Sequence, residues 1–192
     1  MPNRRIYLAS SWRNRYHADL LQKLRQQGYQ VYDFKNPVEG NSGFAWRDVD
    51  PEWQTWSPDQ LREKLAHPLA VAGFELDMAA LQEADIVVLC LPSGRSSHIE
   101  AAYHKGRGRP VVVYAPEPVE PELMYRLFDA ITTTESELFN YLEHQQDEEG
   151  KTMIKKDCPK SPSGTHVTPG NPCNPPWKHG DGSCIYCGKV IW

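Results

Sequence analysis

The chain has 192 residues, 40% of them hydrophobic and 24% charged, with a formal charge of −4. That length suffices for one good core plus a small appendage, and the mild acidity gives no electrostatic basis for broad binding to nucleic acid or membranes. No apolar run is long enough to span a bilayer, and the basic opening MPNRRIYLASSW has too short an apolar part and no clear cleavage site for a signal peptide, so a cytoplasmic protein is expected.

Arg5 to Ala9 reads as a first strand. Tyr16 to Gln27 reads as a helix with Leu20, Leu21 and Leu24 on one face and Gly28 at its C-cap, and Gln30 to Phe34 as a second strand. The stretch from Lys35 to His67 departs from this alternation. It carries Phe44, Trp46, Trp53 and Trp56 among Pro, Gly and acids, and Ser57-Pro58 then starts a helix running to Ala66. An aromatic-rich insertion of this length reads either as a loop closed over its own aromatic cluster or as a lid with a stacking face for a nucleobase, and the two are compatible.

Phe74 to Tyr114 is the central unit. Met78, Leu81 and Ala84 fall at helical spacing. Ile86 to Leu91 is a continuous apolar run of strand length, Ile99, Ala102 and Tyr103 resume helical spacing, and Val111 to Tyr114 is a further strand. A run such as IVVLCL suits a strand buried on both faces, which makes this a parallel βαβ unit. With Asp77 opening the first of these helices, the helix descends roughly 12 Å to Asp85 and the strand climbs back roughly 18–20 Å. Asp77 then returns near the carboxyl end of the strand, where Glu100 stands in the first turn of the next helix. Ligands of open α/β sheets bind at that edge. Two carboxylates far apart in sequence are thus expected to face one pocket.

Plainer readings stand beside these. Ser97-His98-Ile99-Glu100 matches the S-x-x-E capping box, Asp77 also reads as a first-turn acid favoured by the helix dipole, and Tyr7 as a core tyrosine. Asp85 reads as a turn residue, Cys90 as a small buried apolar group, and His98 as a packing or surface histidine. Beyond Tyr114, a Pro-rich turn leads to short closing helices at Glu122 to Phe128 and Glu135 to Glu143, around Ile131. HQQDEEGKTMIKKD then reads as a linker.

Of five cysteines, Cys90 is alone in the apolar strand, and Cys158, Cys173, Cys184 and Cys187 share the last 35 residues. That tail is rich in Pro and Gly, with too few aliphatics for a core of its own. Cys184-Ile-Tyr-Cys187-Gly reads as a zinc knuckle, completed upstream by Cys158 and His166, or with Cys173 or His179 replacing either. Four protein ligands make such a zinc structural. A redox CxxC would need a following helix that the remaining residues do not supply.

Taken together, Tyr7 in IYLASSW, Asp77 eight residues before the Ala84-Asp85 that opens a buried strand, and Glu100 in HIEAAY resemble the nucleoside 2-deoxyribosyltransferase family and its relatives, the 2'-deoxynucleoside 5'-phosphate N-glycosidases. The resemblance spans about residues 4 to 145. It implies an α/β fold with a small doubly wound parallel sheet, flavodoxin-like or Rossmann-like, over residues 1–146. A linker at 147–157 and the zinc-binding tail at 158–192 would follow. It further implies that Glu100 is the nucleophile, that Asp77 contacts and protonates the departing base, that Tyr7 lies by the nucleophile and the sugar, and that the protein is a homo-oligomer of at least two subunits. Transferases of this family often carry another acid six residues before the nucleophile. Here that position is Gly94, and the loop Gly94-Arg95-Ser96-Ser97 at a helix start suits a 5'-phosphate. Trp12 and Trp46 complete the expected substrate contacts. The expected activity is cleavage or exchange of the N-glycosidic bond of a 2'-deoxynucleoside or its 5'-monophosphate. A pure hydrolase is one alternative, and a non-catalytic nucleotide sensor with a zinc partner module is another.

Overall fold

The computed structural model describes residues 4–150. Five strands, β1 (Arg5–Ala9), β2 (Gln30–Tyr32), β3 (Ile86–Cys90), β4 (Val111–Tyr114) and β5 (Ala130–Thr132), form one sheet in the order β2-β1-β3-β4-β5, with every pair parallel. The helices are α1 (His17–Gln26), α2 (Trp46–Val49), α3 (Pro58–Lys64), α4 (Pro68–Glu83), α5 (Arg95–Gly106) and α6 (Glu135–Gly150). Single 3-10 turns lie at Trp53–Thr55 and Leu123–Leu127.

Strand alternation sorts the core into two faces. Ile6, Leu8, Ile86, Val88, Cys90 and Val112 pack with Leu20, Leu21 and Leu24 of α1 and Leu138 and Leu142 of α6. Tyr7, Ala9, Val87, Leu89, Val111 and Val113 pack with Leu81 of α4 and Ala101 of α5. With helices on both faces the sheet is doubly wound, as the sequence implies. From β1 the chain leaves through α1 toward β2, and from β3 it leaves through α5 toward β4. The order therefore reverses between β1 and β3, and a crevice opens at their carboxyl ends.

Several elements differ from the sequence expectation. The second strand stops at Tyr32 because Asp33 turns the chain: Lys35 N donates to its Oδ1 (3.0 Å) and Asn36 Nδ2 to its Oδ2 (2.9 Å). Asp33 also pairs with buried His17 at 2.9 Å, tying α1 to the end of β2. Helix α4 begins at Pro68, capped by His67, whose Nδ1 accepts from Leu69 N. Asp77 thus lies within α4 and does not open it. The first turns of α4, PLAVAGF, are apolar all round and carry no period that marks a start. Ala130–Thr132 is a fifth strand, where closing helices around Ile131 were expected. It is held by Thr132 Oγ1 donating to Val113 O (3.0 Å) and by Asp129 accepting from Val111 N (2.8 Å). Ser57 forms the expected capping box of α3 with Gln60.

Among the described residues, no helix is long and apolar enough to cross a membrane. The expected zinc ligands Cys158, His166, Cys184 and Cys187 lie outside the described residues.

Candidate active site

Strands β1 and β2 carry matching triplets, Arg5-Ile6-Tyr7 and Gln30-Val31-Tyr32, paired residue for residue. The register places Tyr7 beside Tyr32 on the face covered by α4 and α5. Their rings stack with centroids 5.2 Å apart at 21°. Each hydroxyl reaches a carboxyl. Tyr32 Oη donates to Asp77 Oδ1 at 2.8 Å, from strand to the middle of α4. The hydroxyl of Tyr7, itself fully buried, lies close enough to Glu100 in the second turn of α5 to favour its anion. Asp77 and Glu100, half-buried, are thereby gathered at one edge of the sheet, as the sequence geometry anticipated.

Burial and mutual repulsion dominate the electrostatics. Glu100 is pushed up from 4.5 to about 7, first by burial and then by the charge of Asp77, against the favourable hydrogen bond from Tyr7. Burial also raises Asp77, and the Tyr32 hydroxyl opposes that rise. Both phenols are held well above the ordinary tyrosine range, by burial first. Next come the charges of Glu100 and Asp77 at Tyr7, and the bond to Asp77 at Tyr32. The tyrosines therefore remain neutral, and each carboxyl is harder to ionise than an exposed one, Glu100 more so because Asp77 is near.

Helix α5 starts at Arg95 with Gly94 as its N-cap, and no side chain caps it. Ser97 is thus inside the first turn and cannot form the S-x-x-E capping box. Its buried hydroxyl donates instead to Ser10 O at 2.6 Å, fastening α5 to the end of β1. Asn14 Nδ2 adds bonds of 3.0 Å to Cys90 O and to Pro92 O, so the ends of β1 and β3 are tied together beneath the site. Arg95 and Ser96 are exposed at the mouth of this loop. His98 bridges Gly94 O (2.8 Å) and the hydroxyl of Tyr125 (2.8 Å) and stacks on that ring, anchoring the 3-10 turn at Leu123–Leu127 to the start of α5. Burial pushes the Cys90 thiol up to about 12, which leaves it inert as a nucleophile at neutral pH.

A cleft of about 130 Å³ adjoins Asp77, walled by Phe34, Pro37, Phe44, Leu69 and Leu76, with Asn41 and Asp48 as further polar groups. Two glycines allow these walls to close up. A Cβ on Gly43 would stand 2.3 Å from Phe34 O, at a φ of +76°, and one on Gly73 would stand 2.7 Å from Phe44 Cβ. Trp12 packs edge-on against Phe34 (5.5 Å) and is 44% exposed. Trp46 is not a wall residue. It packs edge-on against Phe44 (4.8 Å) and Trp56 (5.5 Å), so the insertion does close over its own aromatic cluster. Glu100 is likewise not in the cleft wall.

The expected trio Tyr7, Asp77 and Glu100 is thus together, with Gly94 to Ser97 at the start of the helix that bears Glu100 and Trp12 touching a cleft wall. Sequence reasoning missed Tyr32 and Phe34, whereas Phe44 belongs to the aromatic insertion that it read as a stacking face. The repeated polar-aliphatic-Tyr triplet of β1 and β2 was the available signal for Tyr32. Among the described residues, no group of three or more His, Cys, Asp or Glu side chains is arranged to hold a metal ion.

The fold and site define an α/β protein with two carboxyls beside a stacked tyrosine pair at the switch point of a parallel sheet, next to an aromatic cleft. Solved structures similar to it include the 2-deoxyribosyltransferase of the psychrotolerant bacterium Bacillus psychrosaccharolyticus, at 21% identity and a TM-score of 0.47, with 71% of this chain and 91% of that chain covered. Another is the CMP N-glycosidase BcmB of Clostridium botulinum, at 19% identity and a TM-score of 0.41, with 73% and 99% covered. No family model and no curated protein sequence matches the chain.

Proposed function

We propose that this protein is an enzyme that cleaves or exchanges the N-glycosidic bond of a 2'-deoxynucleoside or its 5'-monophosphate. The observation that carries this reading is the pair of half-buried carboxyls, Asp77 bonded by the Tyr32 hydroxyl and Glu100 beside that of Tyr7, with Asp77 next to an aromatic cleft. Glycosidic cleavage needs that set: one carboxylate to meet the cationic sugar and one acid to protonate the leaving group.

In the proposed mechanism the base lies between Phe34 and Phe44. Glu100 as the anion attacks C1' of the sugar. The C1'–N bond breaks with its electron pair going to the base, and a protonated Asp77 delivers its proton to a base nitrogen. A second nucleophile, water or another base, then attacks C1', loses its proton to the now anionic Asp77, and releases Glu100. Tyr7 steadies the Glu100 anion without ionising. With the Ser97 hydroxyl given to Ser10 O, a 5'-phosphate would be met by Arg95, Ser96 and the free N–H groups of α5. The exposed apolar side chains Phe74 and Ile99 on α4 and α5, and Leu123 and Met124 nearby in sequence to Tyr125, favour a homo-oligomer. The tail is proposed to carry a structural zinc.

Product chromatography tests the reading. The protein, beside Glu100→Gln, is incubated with each deoxynucleoside and monophosphate, with and without a second free base. A new nucleoside only when base is added is the transferase result, and free base without exchange is the hydrolase result. Absence of turnover with any of them overturns the reading and favours a nucleotide-binding module.

A further inference from the structure

We propose that Tyr32 is a positioning residue of this site, the counterpart of Tyr7: the stacked pair, with the Tyr32 hydroxyl on Asp77 and the Tyr7 hydroxyl beside Glu100, biases which of the two carboxyls is protonated. The proposal rests on the reading of these carboxyls as the reacting pair, but it concerns a residue that reading does not use.

Tyr32 is placed by the sheet and not by a loop. It is the register partner of Tyr7, and the rings stack at 5.2 Å, so neither phenol moves without the other. Its hydroxyl occupies Asp77 Oδ1 at 2.8 Å, while Asp77 also borders the cleft. A phenol that donates to a carboxylate stabilises the anion. Tyr32 therefore draws the proton away from Asp77, and Tyr7 draws it away from Glu100. The titratable groups facing the pair are Tyr7 from β1, Tyr32 at the end of β2 followed by Asp33, Asp77 from α4 and Glu100 from α5, with Asp48 in the wall of the cleft. Burial raises both carboxyls, and for Glu100 the charge of Asp77 adds to it, while each phenol opposes the rise of its own partner. Catalysis needs the proton on Asp77, with Glu100 ionised, so the two hydroxyls act in opposite senses on the reactive form.

The test is a pair of substitutions that keep the ring stack and remove one hydroxyl each, Tyr32→Phe and Tyr7→Phe, followed by carbon-13 NMR titration of the Asp77 and Glu100 carboxyls in the full-length protein without substrate. Tyr32→Phe is expected to move the Asp77 titration to higher pH and that of Glu100 to lower pH, and Tyr7→Phe to do the reverse. In the pH profile of kcat/KM the alkaline limb, where the pair loses its last proton, moves up in Tyr32→Phe. Its rate at the optimum changes by roughly tenfold or more. In an Asp77→Asn background, Tyr32→Phe is expected to add nothing to the Glu100 titration. Both carboxyls titrating as in the parent protein in a Tyr32→Phe variant of unchanged near-ultraviolet circular dichroism overturns the proposal. So does an equal Tyr32→Phe effect with and without Asp77, which is the result of a merely structural role. Because the titration needs no turnover, it decides the role of Tyr32 even if no deoxynucleoside is cleaved.

Discussion

The two faces of one sheet are built from alternating residues of the same strands, yet they do different work. On the side of α1 and α6, Ile6, Leu8, Ile86 and Val88 meet leucines, and buried His17 is tied to Asp33. On the side of α4 and α5, the residues in between include Tyr7 and Tyr32, with two carboxyls above them that burial makes costly to ionise. The first face holds the strands in register. The second uses that register to align two phenols and two acids. A shift of one residue in β1 would exchange the faces, so the stability of one guarantees the geometry of the other.

Substitutions can separate the two. The largest effect is expected from Glu100→Gln, which keeps the shape of the side chain and removes the proposed nucleophile: on that reading turnover falls roughly a thousandfold or more in single-turnover assays, while the fold persists by circular dichroism. Leu24→Ala on the opposite face is expected to cost about 2–5 kcal/mol in urea unfolding and to leave kcat nearly unchanged where the protein is folded. A loss of kcat as large as that of Glu100→Gln would show that the faces are not independent.

A subtler effect concerns pH. Glu100 titrates higher when folded, so its contribution is fully present below about 4.5 and is lost as pH rises through about 7. The protein should therefore lose up to ~3 kcal/mol of stability across that window. Glu100→Gln should flatten the loss and unfold at higher urea than the parent at pH 8, with little difference at pH 4. A parent protein whose unfolding midpoint does not change between pH 4.5 and 7 would remove the claim that this face is strained. The smallest effect is expected at Cys90. Its raised thiol should resist alkylation at pH 8 in the folded protein and react on unfolding, as read by peptide mass mapping.

Much of this was legible because strong local patterns agreed with the fold. IVVLC suited a doubly buried strand and forms one, and the spacing from Asp77 to Glu100 survived even though its derivation placed the start of α4 too late. The error cancelled because the path from Asp77 down to Asp85 and back is unaffected by how far the helix extends upstream. Where the sequence misled, a local signal lost to a tertiary one. Ser97-x-x-Glu100 fits a capping box, but the hydroxyl of Ser97 has a better use on the Ser10 carbonyl, and the helix starts earlier at Gly94. The fifth strand is three residues at the sheet edge, too short for alternation to register. Tyr32 was hidden because its role appears only once β2 is laid beside β1.

The walls of the aromatic cleft have a different origin from the carboxyls beside it. Phe34, Pro37, Asn41, Phe44 and Asp48 belong to a single stretch between β2 and α3, which meets α4 across the bare backbone of Gly73. Tyr7, Tyr32 and Glu100 belong to the strands and to α5, and Asp77 is the residue common to both sets. On the proposed reading, substrate choice and bond breaking lie in separable lengths of chain, and grafting residues 34 to 48 from another protein of this fold is expected to change which base is accepted while leaving the chemistry in place, provided Gly43 and Gly73 are kept.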